Sequence, residues 1–198
     1  MFNVKRLRCF VGWLAILLPW IVVVISLAFG YRFPDSISET YYRAECITPF
    51  IIILGSASIL LMYYDGYDKV DDILNTIAGI LGLCICLFPC WKGGTFRLPA
   101  EVCSVIHNVS AISFFIILSY VSLFQFTKSS GEMTKQKKIR NIIYRICGIG
   151  MIASFLLLLL PNTVTFKIWL VEAIALLFFG ISWLTKSSAY KWLAADIE

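Results

Sequence analysis

The run CFVGWLAILLPWIVVVISLAFG, residues 9–30, carries no charged side chain and follows Lys5, Arg6 and Arg8. At about 1.5 Å of rise per residue, a helix of that length crosses the roughly 30 Å hydrocarbon core of a bilayer. Basic residues ahead of an apolar run also open a secretory signal, and Ser26 with Ala28 forms a passable cleavage pair. Length separates the two readings. A signal core usually spans about 7–15 residues, so this longer run reads as a first membrane helix.

Five further apolar segments follow, at residues 47–64, 73–90, 102–126, 142–160 and 164–185, with Pro161 and Asn162 marking the turn between the last two. The chain of 198 residues is 60% hydrophobic and only 15% charged, against roughly 45–50% and 25% in an ordinary soluble domain. These features define one all-α domain over residues 1–198, a polytopic bundle of six transmembrane helices. The short connections leave no room for a soluble catalytic domain, and no repeat or low-complexity linker interrupts the pattern.

Lys and Arg set the expected orientation. Lys5, Arg6 and Arg8 precede the first helix, and Lys128, Lys135, Lys137, Lys138 and Arg140 fill the fourth loop. The positive-inside rule puts both regions in the cytoplasm. Six crossings then return the carboxyl terminus, with Lys186 and Lys191, to the same side, so both termini are expected to be cytoplasmic and the protein to sit in the inner (plasma) membrane. The net charge of +5 falls mainly on that rim, where anionic lipid attracts it, and needs no nucleic-acid partner. Gly55 near Ile59, Ala78 with Gly82, and Gly150 with Ser154 offer small-residue faces for helix contact. Trp91, Trp169, Trp183 and Trp192 lie near segment ends, where interfacial aromatic belts form.

The seven cysteines lack paired CxxC spacing and His107 is the only imidazole, so no zinc site, other metal site or cofactor is expected. Cys46, Cys90 and Cys103 fall near the outer surface, where a Cys90–Cys103 disulfide is one option. Phosphate-loop and GxSxG patterns are absent, leaving no assignable catalytic residue.

Ionisable side chains at membrane depth are functional candidates. Glu172 stands eight residues into the sixth segment, roughly 12 Å below its start, and needs either a partner or a proton. His107 and Asn108 sit near the outer end of the fourth segment, in the same half of the membrane. The first loop contains Ser36, Ser38 and Glu39, and the Ser36 to Glu39 spacing is that of a capping box on a short surface helix. Folded over the mouth of the bundle, that segment brings its polar residues to His107. On the opposite side, residues 64–72 concentrate Asp65, Asp68, Asp71 and Asp72. Their spacing is not that of a calcium-binding loop, and a cap on the third helix from Asp71 or Asp72 accounts for them.

Several short strings then occur in order: Ser36-Ile37-Ser38-Glu39, Gly82 with Phe88-Pro89, and His107 with Ala111. Gly66-Tyr67-Asp68 with Asp71, Arg140-Asn141 with Tyr144-Arg145 and Cys147-Gly148, and Gly180-Ile181-Ser182-Trp183-Leu184 extend the series. Over most of its length the chain resembles an uncharacterised group of prokaryotic six-helix membrane proteins of unknown function, more distantly similar to DRAM-like and Frag-like families. Cys90 departs from the small residue usual after the Phe-Pro pair. The resemblance implies an inner-membrane six-helix bundle and transfers no reaction.

The reading that emerges is an outward-facing polar pocket of Ser36, Ser38, Glu39, His107, Asn108 and Glu172. It would bind or translocate a small polar solute, a lipid headgroup or a proton, with membrane lipids as partners and homo-oligomers left open. The alternatives are a lipid hydrolase or transferase using Glu39 and His107, and a noncatalytic protein that organises lipid or assembly.

Overall fold

The computed structural model describes residues 4–129, 131 and 133–188. Six α-helices follow one another: α1 (Val4–Ala28), α2 (Ala44–Met62), α3 (Lys69–Leu87), α4 (Ala100–Tyr120), α5 (Lys135–Ala153) and α6 (Lys167–Lys186). A π-helical turn, Val121–Gln125, prolongs α4, and a 3-10 segment, Ser154–Leu159, prolongs α5. With these extensions, all six helices are long and apolar enough to cross a membrane, and no strand occurs among the described residues. Lys191 and Trp192 lie outside the described residues.

Each helix packs on its neighbours in sequence, and α6 closes against α1, so the bundle is an up-and-down ring. One end, the basic end, holds the starts of α1, α3 and α5 and the finish of α6. The other, the Glu172 end, holds the first and third loops and the start of α6. Burial is inverted relative to a water-soluble protein. Val24, Val105 and Ile149 are 64%, 62% and 61% exposed in mid-helix, whereas Asp71 and Asn75 are wholly buried. An apolar surface around a core holding polar groups is the partition that lipid selects.

Several boundaries differ from the apolar runs. α1 starts at Val4 and takes in Lys5, Arg6 and Arg8, and α5 starts at Lys135, because Lys and Arg are good helix formers whose long stems reach the interface. Thr134 caps α5 by accepting the Lys137 amide at 3.0 Å. The α3 cap is Asp68, not Asp71 or Asp72. Its carboxylate accepts the Val70 and Asp71 amides at 3.1 and 3.0 Å. Asp71 turns inward instead and accepts from the Tyr67 amide and the Asn75 side chain, both at 2.9 Å. α6 begins only at Lys167, since residues 161–166 are taken up by turns such as the Val164 amide to Pro161 carbonyl bond.

Close approach and hydroxyl bonding hold the helices together, as expected where lipid supplies no hydrophobic drive for association. A Cβ added at Gly180 would stand 2.7 Å from the Gly12 carbonyl oxygen, and one added at Gly82 would collide with the Ser58 hydroxyl. Gly55, by contrast, faces open space. Ser119 donates to the Gly148 carbonyl at 2.7 Å, while Ser122 bonds the Tyr144 carbonyl at 2.9 Å and the Ser182 hydroxyl at 2.8 Å. Trp183 is no belt residue. It is 1% exposed and packs edge-on against Tyr64, Phe126 and Phe179 in an aromatic core at the basic end. Trp169 is also buried, whereas Trp91 is exposed.

Candidate functional site

The site at the Glu172 end is made by the first loop folding back over the bundle. Gly30, at φ +79°, terminates α1 in the left-handed conformation that glycine adopts without strain. The chain then runs extended to Asp35, whose carbonyl accepts the Trp169 amide at 2.9 Å. That amide is one of the four N–H groups a helix start leaves unpaired, so the loop itself completes the first turn of α6.

From Ser38 to Tyr42 the chain makes a short 3-10 helix. Ser36 accepts the Glu39 amide at 2.9 Å, half of the expected capping box, but Glu39 reaches back to the Asp35 amide at 2.6 Å rather than to Ser36. The other Glu39 oxygen pairs with Arg43 at 3.3 Å and Arg32 at 3.7 Å. Arg43 is 6% exposed and also donates to the Arg32 carbonyl at 2.8 Å. Tyr42 clamps the first loop to the third by accepting the Trp91 and Lys92 amides at 2.7 and 2.8 Å. Burial pushes the Tyr42 hydroxyl and the nearby Cys90 thiol above their ordinary pKa values, so both stay neutral in this clamp.

Beneath the clamp, three side chains from three elements meet. Glu172 on α6 accepts the Ile37 amide at 2.5 Å with one oxygen and lies 3.4 Å from the Ser38 hydroxyl with the other. Ser38 in turn lies 3.1 Å from His107 Nε2 on α4, and His107 Nδ1 is 2.8 Å from the Phe88 carbonyl. Phe88 caps α3, so its carbonyl is among the helix-end acceptors that need a donor from elsewhere.

The remaining predicted residues go elsewhere. Asn108 is exposed, bonding only Ser104 at 3.3 Å, because one residue of helix turns it about 100° from His107. Ser36 and Glu39 act within the loop, and Glu39 is engaged by arginines rather than by His107. Glu172 is shallower than its apolar run implied, five residues after Lys167 and thus about 8 Å from the helix start. It is covered by the loop rather than by depth alone. Tyr42, Arg43, the Ile37 amide and the Phe88 carbonyl were not singled out by sequence. The helix-breaking Phe88-Pro89 pair was the available signal for the last of these.

Below Ser38 and Glu172 lies a cavity of about 40 Å³, otherwise walled by apolar side chains including Leu18, Phe50, Phe114 and Phe115. It has room for water but not for an organic solute, whose pockets run to about 300 Å³ or more. All seven cysteines are free thiols, Cys90 and Cys103 included. Among the described residues no three His, Cys, Asp or Glu side chains converge as metal ligands.

Fold and site together define a multi-pass helical membrane bundle with a loop-covered Ser–His–Glu cluster near one face. No family profile, curated protein or solved structure matches the chain.

Proposed function

We propose that the protein binds and passes on a single proton at the Ser38–His107–Glu172 cluster, as an inner-membrane protein with both termini cytoplasmic and the cluster facing outward. One observation carries the reading. The Phe88 carbonyl can only accept, so His107 Nδ1 bears a hydrogen, and the hydrogen-bonding options beyond it are then limited. In one arrangement His107 is doubly protonated, Nε2 donates to Ser38, and Ser38 donates to an ionised Glu172. In the other, a protonated Glu172 donates to Ser38, which donates to neutral His107 Nε2. Both satisfy every group and hold the same number of protons, differing only in which end of the serine bridge carries the mobile one. Remove that proton and Ser38 can serve only one partner, leaving either His107 Nε2 or the Glu172 oxygen that faces the serine without its donor, while the other Glu172 oxygen keeps the Ile37 amide.

The cavity's size favours a proton or water over the solute and headgroup that the sequence also admitted. The engagement of Glu39 with arginines weighs against a Glu39–His107 hydrolase. The basic end, carrying Lys5, Arg8, Lys137 and Arg140, supports the orientation through the positive-inside rule. Kinship with the DRAM-like and Frag-like families is part of the same proposal and rests on the order of the short sequence strings.

The test is infrared difference spectroscopy of the protein in lipid as pH is stepped, followed at the carboxylic-acid carbonyl band. Wild type should show a protonated carboxyl signal that Glu172→Gln removes and that Ser38→Ala and His107→Gln shift. A carboxyl signal unchanged by all three variants would refute the reading.

A further inference from the structure

At the basic end, a second cavity of about 150 Å³ opens between α1, α5 and α6, and its rim is cationic: Lys5, Arg8, Lys137, Arg140 and Lys186. It is separate from the Ser–His–Glu cluster and plays no part in the proton reading. Its volume accommodates several water molecules, hence a tetrahedral oxyanion.

Two of its cations have donors left over. Arg8 makes only long contacts, from Nη1 to the Lys186 carbonyl at 3.4 Å and from Nη2 to the Tyr64 hydroxyl at 3.3 Å. Its Nε hydrogen is buried with no acceptor among the described residues. The Lys186 ammonium sits 5.0 Å above the Phe126 ring and makes no ion pair with a described carboxylate. Arg8, Lys137 and Arg140 all lie within coulombic reach of it, and the carboxylate facing it is Asp71. Asp71 is already held by the Tyr67 amide and Asn75. Arg8 and Lys186, the two cations with donors left over, are unfavourable neighbours in a membrane bundle unless an anion joins them.

We propose that this pocket binds a phosphate group. An arginine Nε–Nη edge presents two parallel donors that match two phosphate oxygens, and lysines add point charge around it. The position, between helix ends at one membrane face, suits the headgroup of an anionic phospholipid, and a free phosphate offers the same chemistry.

The full chain is purified in a neutral detergent and divided into two arms. One is titrated with inorganic phosphate; the other is placed in nanodiscs of phosphatidylcholine containing phosphatidic acid. Native mass spectrometry reads the retained adducts. Retention in the lipid arm alone assigns a headgroup, and retention of inorganic phosphate assigns the free anion. Each cation removed should weaken binding about fivefold. Lys5→Gln, on an exposed rim residue that leaves the fold untouched, should show that loss, and Arg8→Gln at least as much. Lys92→Gln, exposed at the opposite end, should show none. The proposal is overturned if neither arm retains an adduct beyond phosphatidylcholine alone, or if Lys5→Gln and Arg8→Gln retain it as wild type does.

Discussion

Replacing Glu172 by Gln and Ser38 by Ala should have unequal consequences for stability, although both residues belong to one cluster. A glutamine at 172 can keep its amide oxygen on the Ile37 amide and donate from its nitrogen to Ser38, which then donates to His107 Nε2. That reproduces the arrangement with a protonated carboxyl, so Glu172→Gln should cost less than about 1 kcal/mol. Ser38→Ala removes the contacts at 3.1 and 3.4 Å together and leaves two buried polar groups facing an apolar methyl. A lost bond of about 1 kcal/mol, plus the penalty of about 1–3 kcal/mol for a buried group left unsatisfied, gives a cost of about 2–4 kcal/mol. At roughly 2–4 °C per kcal/mol for a chain of this size, the Ser38→Ala melting point should fall by about 4–16 °C while Glu172→Gln stays within about 4 °C of wild type. Tryptophan fluorescence melts in detergent at a fixed scan rate supply the comparison. If Glu172→Gln loses as much as Ser38→Ala, the carboxylate is held as a fixed charge and the shared-proton argument fails.

Three further expectations test the frame around the cluster. Gly180→Ala sets a Cβ 2.7 Å from the Gly12 carbonyl, so α1 and α6 must separate, and a loss of about 1–3 kcal/mol should appear in the same melts; an unchanged melt would show that the two helices do not meet as closely as described. Arg43→Gln leaves Glu39 with the exposed Arg32 as its cation, and hydrogen exchange at the Ile37 and Thr40 amides should accelerate while α3 and α4 remain protected. At the other end, the Lys128 ammonium, 2.6 Å from Asp68, holds that carboxyl below its usual value. A depressed acid contributes stability above its unfolded pKa of about 3.9 and loses it as pH falls through the lower folded value, so Lys128→Met should flatten the acid-side decline in melting temperature below about pH 4. An equally steep decline in the variant would place the acid sensitivity elsewhere.

The helices were legible because lipid imposes a length and an apolar composition on every crossing, and both can be read locally. Their ends were less so. Lys5, Arg6, Arg8 and Lys135 look like loop residues by charge, yet they continue helices because a long basic stem reaches water from within the last turn. In the candidate site, His107 and Glu172 stand out for polarity at membrane depth and Ser38 for its place on a first loop folded over the mouth; these three do come together, whereas Asn108, next to His107 in sequence, faces away for the same helical reason that His107 faces in. Ser36 and Glu39 are expected at the mouth only because the same loop folds over it, whereas their capping-box spacing describes how the segment closes on itself, and that is the role they take. The arginines that engage Glu39 come from positions 32 and 43, and no periodicity links those to residue 39 until the loop has folded.

Both donors to Glu172 from the loop, the Ile37 amide and the Ser38 hydroxyl, belong to adjacent residues of one segment. That segment is fixed at Asp35 by the start of α6, at Glu39 by Arg43, and at Tyr42 by the third loop. Lifting it therefore strips Glu172 of both loop donors and separates His107 from Ser38 in one movement. The proton arrangement and the loop position are thus two descriptions of the same equilibrium, and whatever favours one must shift the other by its differential affinity for the two states. A proton withdrawn from the cluster leaves one group unsatisfied with the loop closed, so deprotonation should favour the open loop. Hydrogen exchange at Ile37 should accordingly be slower in Glu172→Gln, where the protonated arrangement is permanent, than in wild type at a pH where the cluster gives up its proton.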